Sequence, residues 1–582
     1  MDSQKLDENR HSAAHMLAAA VLELYPGTKL AIGPTIENGF YYDFKFPEGV
    51  SISEADLPAI EKKMKHIMKG NHKFVGKEVT FKEAKVFEKD QPFKLELIDE
   101  FSGEGKNLTL YESGPFTDLC RGGHAENTNQ IPADGLKLHK VAGAYWRGDE
   151  KNPMLTRIYG LLFATREELD AYLTQLEEAK KRDHRKLGKE LDLFVFSDLV
   201  GPGMPLFTPK GALVRGRIVE YSRELNRRIG FEEVYTPNIN KAELFKISGH
   251  YDKYKDDMLE VRSHYSDEEY YLKPMNCPQH TQIYASRMRS YKDLPIRFSD
   301  FANLYRDERP GELSGLTRLR CFVQDDGHCF CREDQIEQEF SNVLAVIKEA
   351  LTTYGLKYWI RLSLHDPAQK EKYLGDASTW EKAETTLRKL LLENKIDCKE
   401  AVGEAAFYGP KMDIMAVDAI GREWQISTIQ LDLNMPVRFN LSYVDSDGTE
   451  KHPVMIHRAL VGSPERFMGI LIEHYAGAFP VWLAPIQVQL APVSAKHMEQ
   501  TKELAKEFEE AGVRVAVDEA DETVGKKVRN AVAQKIPYII VVGDRELEGG
   551  EWTIRVRGVE EQLKMKKAEF VEKVKREIEE RL

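Results

Sequence analysis

The chain has 582 residues, 42% of them hydrophobic and 31% charged, and its net charge is −12. This length exceeds what one hydrophobic core can organise and predicts roughly three or four globular domains. The acidic balance argues against a dedicated non-specific nucleic-acid binder, although local basic patches remain compatible with RNA. Six irregularly spaced cysteines, a polar N-terminus and no long apolar run predict a cytoplasmic protein without a disulfide framework or a membrane partner.

Residues 1–164 are predicted to form an α+β domain that opens with an Ala-rich helix from His11. His11 and His15 are four residues apart and therefore share one face of that helix. Cys120 and His124 have the same spacing after a turn. Together these four side chains have the composition of a four-ligand zinc site, and the sequence alone leaves that interpretation open.

The remaining chain divides by pattern into three further segments. Residues 165–189 are helical and heavily charged, which predicts a linker helix. Residues 190–485 mix strands and helices without a regular βαβ period, which favours a mostly antiparallel sheet flanked by helices. Residues 486–582 alternate short strands and helices and predict a compact α/β domain. The fold class is therefore a multidomain α+β protein.

Within the third segment, Phe301 to His328 predicts two antiparallel strands joined by a Gly-rich loop. Alternate side chains of such strands converge on one face. The polar and aromatic residues of this hairpin are Arg306, Glu308, Arg318, Arg320, Phe322, Gln324 and Asp326. Because arginine binds phosphate oxygens in a bidentate manner, the hairpin is a candidate nucleotide site. The alternative is a surface hairpin with ordinary charge pairs.

Several motifs in the chain resemble the class II aminoacyl-tRNA synthetases. Phe301–His328 resembles their motif 2, Gly462–Phe467 (GSPERF) resembles motif 3, and Phe231–Pro237 is a candidate motif 1. The texts LKPMNCPQH, FVQDDGH and VMIHRALVGSPERF are similar to the threonyl-tRNA synthetase family, and HSAAH and CRGGH are similar to its editing domain. The resemblance extends from about His11 into the C-terminal domain.

The resemblance implies an editing domain at 1–164, a linker helix at 165–189, a class II antiparallel-sheet catalytic core at 190–485 and an anticodon-binding domain at 486–582. It also implies a homodimer. The usual bacterial form has a small ubiquitin-like domain before the editing domain, and this chain, which begins almost directly at the editing helix, is predicted to lack it. Gln279 stands where the family pattern has glycine.

The implied activity is ligation of L-threonine to tRNA(Thr) through threonyl-adenylate, with ATP and Mg²⁺. Arg306 would bridge the amino-acid carboxylate and the α-phosphate, and Phe322 would stack on the adenine that Glu308 fixes. Arg318 and Arg466 would hold the γ-phosphate. Gln425 and Ser463 are further candidates near the nucleotide, and His250 is a candidate for relaying the ribose proton unless it is a surface histidine.

The resemblance also joins three residues that spacing alone would not, Cys277, His328 and His457, as ligands of one Zn²⁺ per subunit. Taken singly, each is an ordinary core thiol or satisfied histidine. Three ligands leave a fourth position open for substrate. A zinc that binds the amino group and hydroxyl of threonine would reject near-isosteric valine. Asp326, Tyr408, Lys411 and Gln430 would line the threonine pocket.

Serine keeps the hydroxyl, so a second, hydrolytic site is needed to reject it. The resemblance assigns hydrolysis of seryl-tRNA(Thr) to His11, His15, Cys120 and His124 without a required metal, although a related alanyl-type editing fold carries zinc there. Tyr42, Lys94 and Asp118 also match this editing pocket. Two alternative functions are a binding protein without catalysis and a stand-alone deacylase. The presence of Arg306, Glu308, Arg466 and the Cys277/His328/His457 set argues against the first, and the motif 3 arginine, Arg466, argues against the second. The Cys/His/His set also disfavours another specificity such as prolyl.

Overall fold

The structure is a computed structural model that describes residues 2–103 and 107–582. The chain divides into two compact units, one up to Glu177 and one from Glu178 to Leu582. Among the described residues, no helix is both long and apolar enough to cross a membrane. The four-part division with limits at 164, 189 and 485 stays a prediction.

The first unit combines helices with two antiparallel sheets. Its helices are α1 (Ser3–Leu24), α2 (Leu57–Met68), α3 (Phe81–Phe87), α4 (Pro92–Gly103) and α5 (Arg166–Arg182), the last of which crosses the unit boundary. Its strands are β1 (Lys29–Leu30), β2 (Thr35–Ile36), β3 (Gly39–Lys45), β4 (Phe74–Val79), β5 (Leu108–Ser113), β6 (Phe116–Leu119), β7 (Leu136–Tyr145) and β8 (Met154–Leu162). One sheet has the order β1-β3-β8-β7 with β2 on β3, and the other has the order β4-β5-β6.

Helix α1 starts before the predicted position at His11 because Asp2 caps it by accepting a hydrogen bond from the Lys5 amide at 2.8 Å. Alanine has the highest helix propensity, and its small side chain allows close packing. Ala13 and Leu17 are fully buried in the same cluster as Phe40 of β3. This packing fixes which face of α1, and therefore which histidines, points into the unit.

The central part of the second unit is built around one large sheet. Its helices are α6 (His184–Glu190), α7 (Pro209–Arg228), α8 (Ala242–Ser248), α9 (His250–Tyr254), α10 (Cys277–Ala285), α11 (Ile336–Thr353), α12 (Ala377–Glu393), α13 (Met435–Arg438) and α14 (Pro464–His474). Its strands are β9 (Phe194–Val195), β10 (Leu206–Phe207), β11 (Glu232–Glu233), β12 (Ile239–Lys241), β13 (Glu260–Val261), β14 (Tyr270–Leu272), β15 (Ile296–Tyr305), β16 (Cys321–Cys331), β17 (Lys357–Leu364), β18 (Cys398–Val402), β19 (Lys411–Val417), β20 (Glu423–Asp432), β21 (Tyr443–Val444), β22 (Glu450–Lys451) and β23 (Val454–Ala459).

The sheet order is β11-β15-β16-β23-β20-β19-β17-β18. Only its two edge pairs, β11 with β15 and β17 with β18, are parallel. The prediction of a mostly antiparallel sheet is therefore confirmed. Helices α7, α11 and α14 pack on one face and bury the largest apolar cluster. The opposite face is left for the site described below.

The C-terminal part contains β24 (Val488–Pro492), α15 (Met498–Glu510), β25 (Val515–Val517), α16 (Val524–Ala533), β26 (Tyr538–Val542), α17 (Asp544–Leu547), β27 (Trp552–Val556), β28 (Leu563–Met565) and α18 (Lys567–Glu579). The sheet order is β25-β24-β26-β27-β28, in which β24 pairs in parallel with both neighbours. It has its own buried cluster around Val488 and Trp552. The predicted α/β unit is confirmed.

Candidate active sites

Strands β15 and β16 form the predicted hairpin, and their register pairs Leu304 with Phe322. Alternate residues of β16 from Phe322 to His328 point to one side of the sheet, where they line a cavity of about 510 Å³. Strand β16 begins only at Cys321, so Arg318 and Arg320 lie in the connecting loop and not in the second strand. The backbone bond from the Arg306 amide to the Arg320 carbonyl closes that loop at 2.9 Å.

Most of the residues predicted for activation lie around this one cavity. The predicted residues in its lining are Cys277, Arg306, Glu308, Arg318, Phe322, Asp326, His328, Tyr408, Gln425, Gln430, His457, Ser463 and Arg466. They come from β16, β20, β23, the hairpin loop, the connection before β19 and the starts of α10 and α14. The antiparallel order of the sheet thus assembles residues that are far apart in the chain.

Lys411 and His250 are not part of this lining. The Lys411 ammonium is 3.0 Å from the Asp413 carboxylate, which also accepts a hydrogen bond from Gln425 at 2.8 Å. His250 is fully buried, with Nδ1 2.8 Å from Ser248 Oγ and Nε2 3.8 Å from Cys277 Sγ. The alternative of a surface histidine at position 250 is therefore wrong.

Three arginines make one end of the cavity positive. The Arg306 guanidinium lies 5.2 Å from the centroid of the Phe322 ring, and Arg466 donates to the Gln425 carbonyl at 2.6 Å. Arg318 pairs with the Glu308 carboxylate at 2.8 Å. Burial lowers the pKa of Arg306 and of Arg466, but a guanidinium keeps its proton at neutral pH. This end is suited to phosphate or carboxylate groups.

At the wall of the same cavity, Cys277, His328 and His457 bring one sulfur and two nitrogens within 4.8 Å of one another. His328 and His457 are direct partners in the register of β16 and β23, and Cys277 is the first residue of α10. All three are buried. One thiolate and two imidazoles are ligands that zinc prefers, and three of them leave a position for substrate.

Two buried residues that sequence reasoning missed, Asp432 and His280, contact the two histidines of this cluster. The Asp432 carboxylate lies 3.0 Å from His457 Nε2, and His280 Nδ1 lies 2.7 Å from His328 Nδ1. The Tyr408 ring stacks on His457 with a centroid separation of 4.7 Å, and its hydroxyl donates to Gln430. The only available signal was His280 itself, which belongs to the quoted text LKPMNCPQH but carries no cue to its partner.

The first unit contains a second cavity of about 690 Å³. The predicted editing residues in its lining are His11, His15, Tyr42, Lys94, Asp118 and Cys120. His124 lies behind His11, with the two rings stacked at 4.3 Å. The Cys120 sulfur is 3.3 Å from Nε2 of His11 and 3.3 Å from Nε2 of His124. The fold therefore brings the His11/His15 pair and the Cys120/His124 pair together in one cluster.

Burial controls the charges in this second cavity. It lowers the pKa of His124 to about 2 and raises the pKa of the Cys120 thiol to about 11. It also lowers the pKa of His11 and His15, so these groups are neutral at pH 7. The Lys94 ammonium lies 2.5 Å from Asp118, which also accepts from the Tyr42 hydroxyl at 2.6 Å. The charged groups of the predicted set are thus confined to one wall.

Comparison with known families agrees with this architecture. Residues 259–475 match the tRNA synthetase class II core domain (G, H, P, S and T), 487–577 match an anticodon binding domain, and 108–159 match the threonyl and alanyl tRNA synthetase second additional domain. Together with the antiparallel core sheet, these matches define a class II aminoacyl-tRNA synthetase. The chain is 49% identical over 571 residues to the threonine–tRNA ligase of Thermotoga maritima, covering 98% of this chain and 88% of that relative. It belongs to the threonyl-tRNA synthetase family.

Other relatives agree. The threonine–tRNA ligase of Rubrobacter xylanophilus is 49% identical over 572 residues, with 98% of this chain and 88% of that protein covered. The solved structure of the RNA binding domain of threonyl-tRNA synthetase from Cryptosporidium parvum superposes with a TM-score of 0.64 at 37% identity, over 67% of this chain and 97% of that one. The predicted family, fold class and enzyme class are confirmed.

Proposed function

We propose that the second unit activates L-threonine with ATP and transfers it to tRNA(Thr). In the same proposal, the first unit hydrolyses seryl-tRNA(Thr). The observation that carries the proposal is the Cys277/His328/His457 cluster at the wall of the cavity that Arg306 and Arg466 line. A cluster of this composition beside cationic side chains supports simultaneous binding of an amino acid and a nucleotide. The ATP would enter as its Mg²⁺ complex.

In this proposal Arg306 holds the threonine carboxylate against the α-phosphate and stabilises the negative charge that develops there. Phe322 offers a ring face for adenine, with Glu308 beside it. Arg318, which now pairs with Glu308, and Arg466 would hold the γ-phosphate, with Gln425 and Ser463 close by. The threonine carboxylate is already a nucleophile, so these side chains work mainly by positioning.

Cys277 Sγ and one nitrogen each from His328 and His457 would hold Zn²⁺. The buried donor set fits this ion, because the three atoms converge within 4.8 Å and their second partners are also buried. When bound, zinc would offer a Lewis-acid position for the amino group and hydroxyl of threonine. Asp326, Tyr408 and Gln430 would complete the pocket, Lys411 would act through its contact with Asp413, and His250 would serve the transfer step.

The test is ATP–pyrophosphate exchange on metal-replete protein with threonine, serine and valine. We expect strong exchange with threonine, weaker exchange with serine, and exchange with valine lower by about 10⁴-fold, as for a site that binds a substrate hydroxyl. One zinc per chain should be found by elemental analysis. Folded, zinc-loaded protein without exchange on any of the three would overturn the synthetase proposal.

For the editing site, the neutral His and Cys groups support substrate and water binding, and the raised pKa of Cys120 disfavours a thiolate nucleophile. Lys94→Ala is expected to slow deacylation of seryl-tRNA(Thr) by about 10²-fold, because it removes the cation paired with Asp118 in the cavity wall. Threonine activation, in the other unit, should be unchanged.

The control for this experiment is Lys85→Ala, which breaks an exposed ion pair with Asp99 in the same unit. Deacylation by Lys94→Ala at the wild-type rate would refute the assignment of Lys94. Zinc should also be counted in the isolated Cys277→Ala protein, since a remaining equivalent would show that the His11/His15/Cys120/His124 cluster holds a metal.

The homodimer and tRNA binding complete the proposal. Several apolar side chains near α7 are exposed, including Leu199 at 100% and Phe196 at 42%, and a second copy would cover such a surface. Sedimentation equilibrium at micromolar concentration measures this directly, and a monomer would refute the dimer. The C-terminal domain is the proposed contact for the anticodon stem-loop.

A further inference from the structure

His280 does not line the cavity of the second unit, yet it is fully buried against one of the predicted metal ligands. Its Nδ1 lies 2.7 Å from Nδ1 of His328, and the two rings are nearly perpendicular with centroids 4.7 Å apart. His280 does not belong to the cluster of atoms that could hold the metal. Its contact with that site is therefore through His328.

The two nitrogens of His328 face different surroundings. Nδ1 faces His280, whereas Nε2 lies 3.8 Å from the carboxylate of Asp326, which lines the cavity. Only Nε2 is on the cavity side and available to a metal. A neutral imidazole that donates the Nε2 lone pair carries its proton on Nδ1, and that proton needs an acceptor.

His280 Nδ1 is that acceptor only if His280 carries its own proton on Nε2. The Asp300 carboxylate lies 3.8 Å from His280 Nε2, too far for a hydrogen bond but close enough to favour a proton there. Asp300 is itself fixed by a hydrogen bond of 2.6 Å from Thr236 Oγ1, which accepts from the Lys273 ammonium at 2.6 Å. These groups are all buried.

We propose that His280 is a positioning residue that, oriented by Asp300, holds His328 in the tautomer and rotamer needed to bind zinc through Nε2. The inference rests on the proposed zinc site and adds to it a role for residues outside the cavity. The opposite tautomer of His280 would donate to His328 Nδ1 and force the His328 proton onto Nε2, where it would block the metal. The Asp300 carboxylate behind His280 selects against that arrangement, whereas Asp326, at the same distance from His328 Nε2, lies on the cavity side, where a bound metal would take the place of the proton.

The experiment compares His280→Leu with His280→Asn in the full chain. Leucine fills space without an acceptor, whereas the asparagine amide oxygen takes a position close to that of Nδ1. We expect His280→Leu to weaken zinc binding by about 10- to 100-fold in competition with a chelator, and His280→Asn to recover most of that loss. Cobalt-substituted protein should show altered visible absorption bands for His280→Leu and near-native bands for His280→Asn.

The control is His497→Leu, which removes a buried histidine that contacts Ser494 and Asp544 in the C-terminal domain. It should retain wild-type zinc affinity. Asp300→Asn provides a second variant if His280→Leu fails to fold, and it should weaken zinc binding in the same direction, because it removes the charge that selects the His280 tautomer.

The outcomes separate the two proposals. If the wild type binds no zinc, the proposed metal site itself fails. If the wild type binds one zinc that Cys277→Ala loses, but His280→Leu and Asp300→Asn retain wild-type affinity and cobalt spectra, the metal site stands and the role of His280 is refuted. Equal loss in His280→Leu and His280→Asn would also refute it, because the acceptor would then be irrelevant.

Discussion

Cys277→Ala is expected to remove the bound zinc and to lower kcat/KM for threonine activation by about 10³-fold or more, the scale of losing a principal electrostatic contact to the reacting substrate. Cys277 would supply the sulfur ligand at the first residue of α10, and without it His328 and His457 offer only two nitrogens. Two ligands do not hold zinc firmly against water. ATP–pyrophosphate exchange and elemental analysis of the same sample measure both effects.

The loss should also change specificity. Without the metal, the cavity distinguishes threonine from valine only by shape and by side chains such as Asp326. The ratio of kcat/KM for threonine to kcat/KM for valine should then be about 10²-fold or less. Cys331→Ala is the matched control, because it removes a fully buried thiol at the end of β16 that belongs to the main apolar cluster and not to the predicted metal site. If zinc-free Cys277→Ala catalyses threonine-dependent exchange at the wild-type rate, the metal is not needed for threonine activation and the prediction is refuted.

Most residues that line the cavity of the second unit could be predicted, because they belong to distinctive sequence motifs. Hairpin pairing followed from strand alternation around Arg306, and the register places Phe322 and Asp326 on one face as expected. The Cys277/His328/His457 set followed only from family resemblance, since no spacing rule joins positions so far apart. The structure brings the two histidines together because β16 and β23 are neighbours in a sheet whose order does not follow the sequence, and the start of α10 adds Cys277.

The buried residues that contact the predicted site residues could not be predicted, because their contacts exist only in the folded chain. Asp432, His280 and Asp300 are ordinary polar residues in the sequence, and their roles arise only from which buried partner each one meets. In the first unit, the Lys94–Asp118–Tyr42 contacts join α4, β6 and β3, which no local pattern relates. Burial fixes the charge states there, and burial is a property of the assembled fold. The side chains that form each site were therefore easier to predict from the sequence than their charge states.

Arg306→Ala is expected to lower kcat for adenylate formation by about 10³-fold, because it removes a charged donor from the position where the α-phosphate gains charge. Arg306→Lys should recover no more than about 10-fold, since an ammonium lacks the planar pair of donors that matches a phosphate or carboxylate. Lysine would also lose the contact of the guanidinium with the Phe322 ring. Single-turnover formation of threonyl-adenylate isolates this step from product release.

Arg309→Ala is the matched control, because Arg309 is an exposed arginine three positions along the same loop and outside the cavity lining. It should leave both kcat and KM close to wild type. The division of the Arg306 effect between these constants carries the mechanistic information. A loss confined to KM for ATP would mean that Arg306 binds the ground state and transition state equally, whereas a loss in kcat means that its contact strengthens as the bond to phosphorus forms. The partly buried guanidinium beside Phe322 favours the second result, because a charge held in a low-dielectric wall gains most from charge that appears during the reaction.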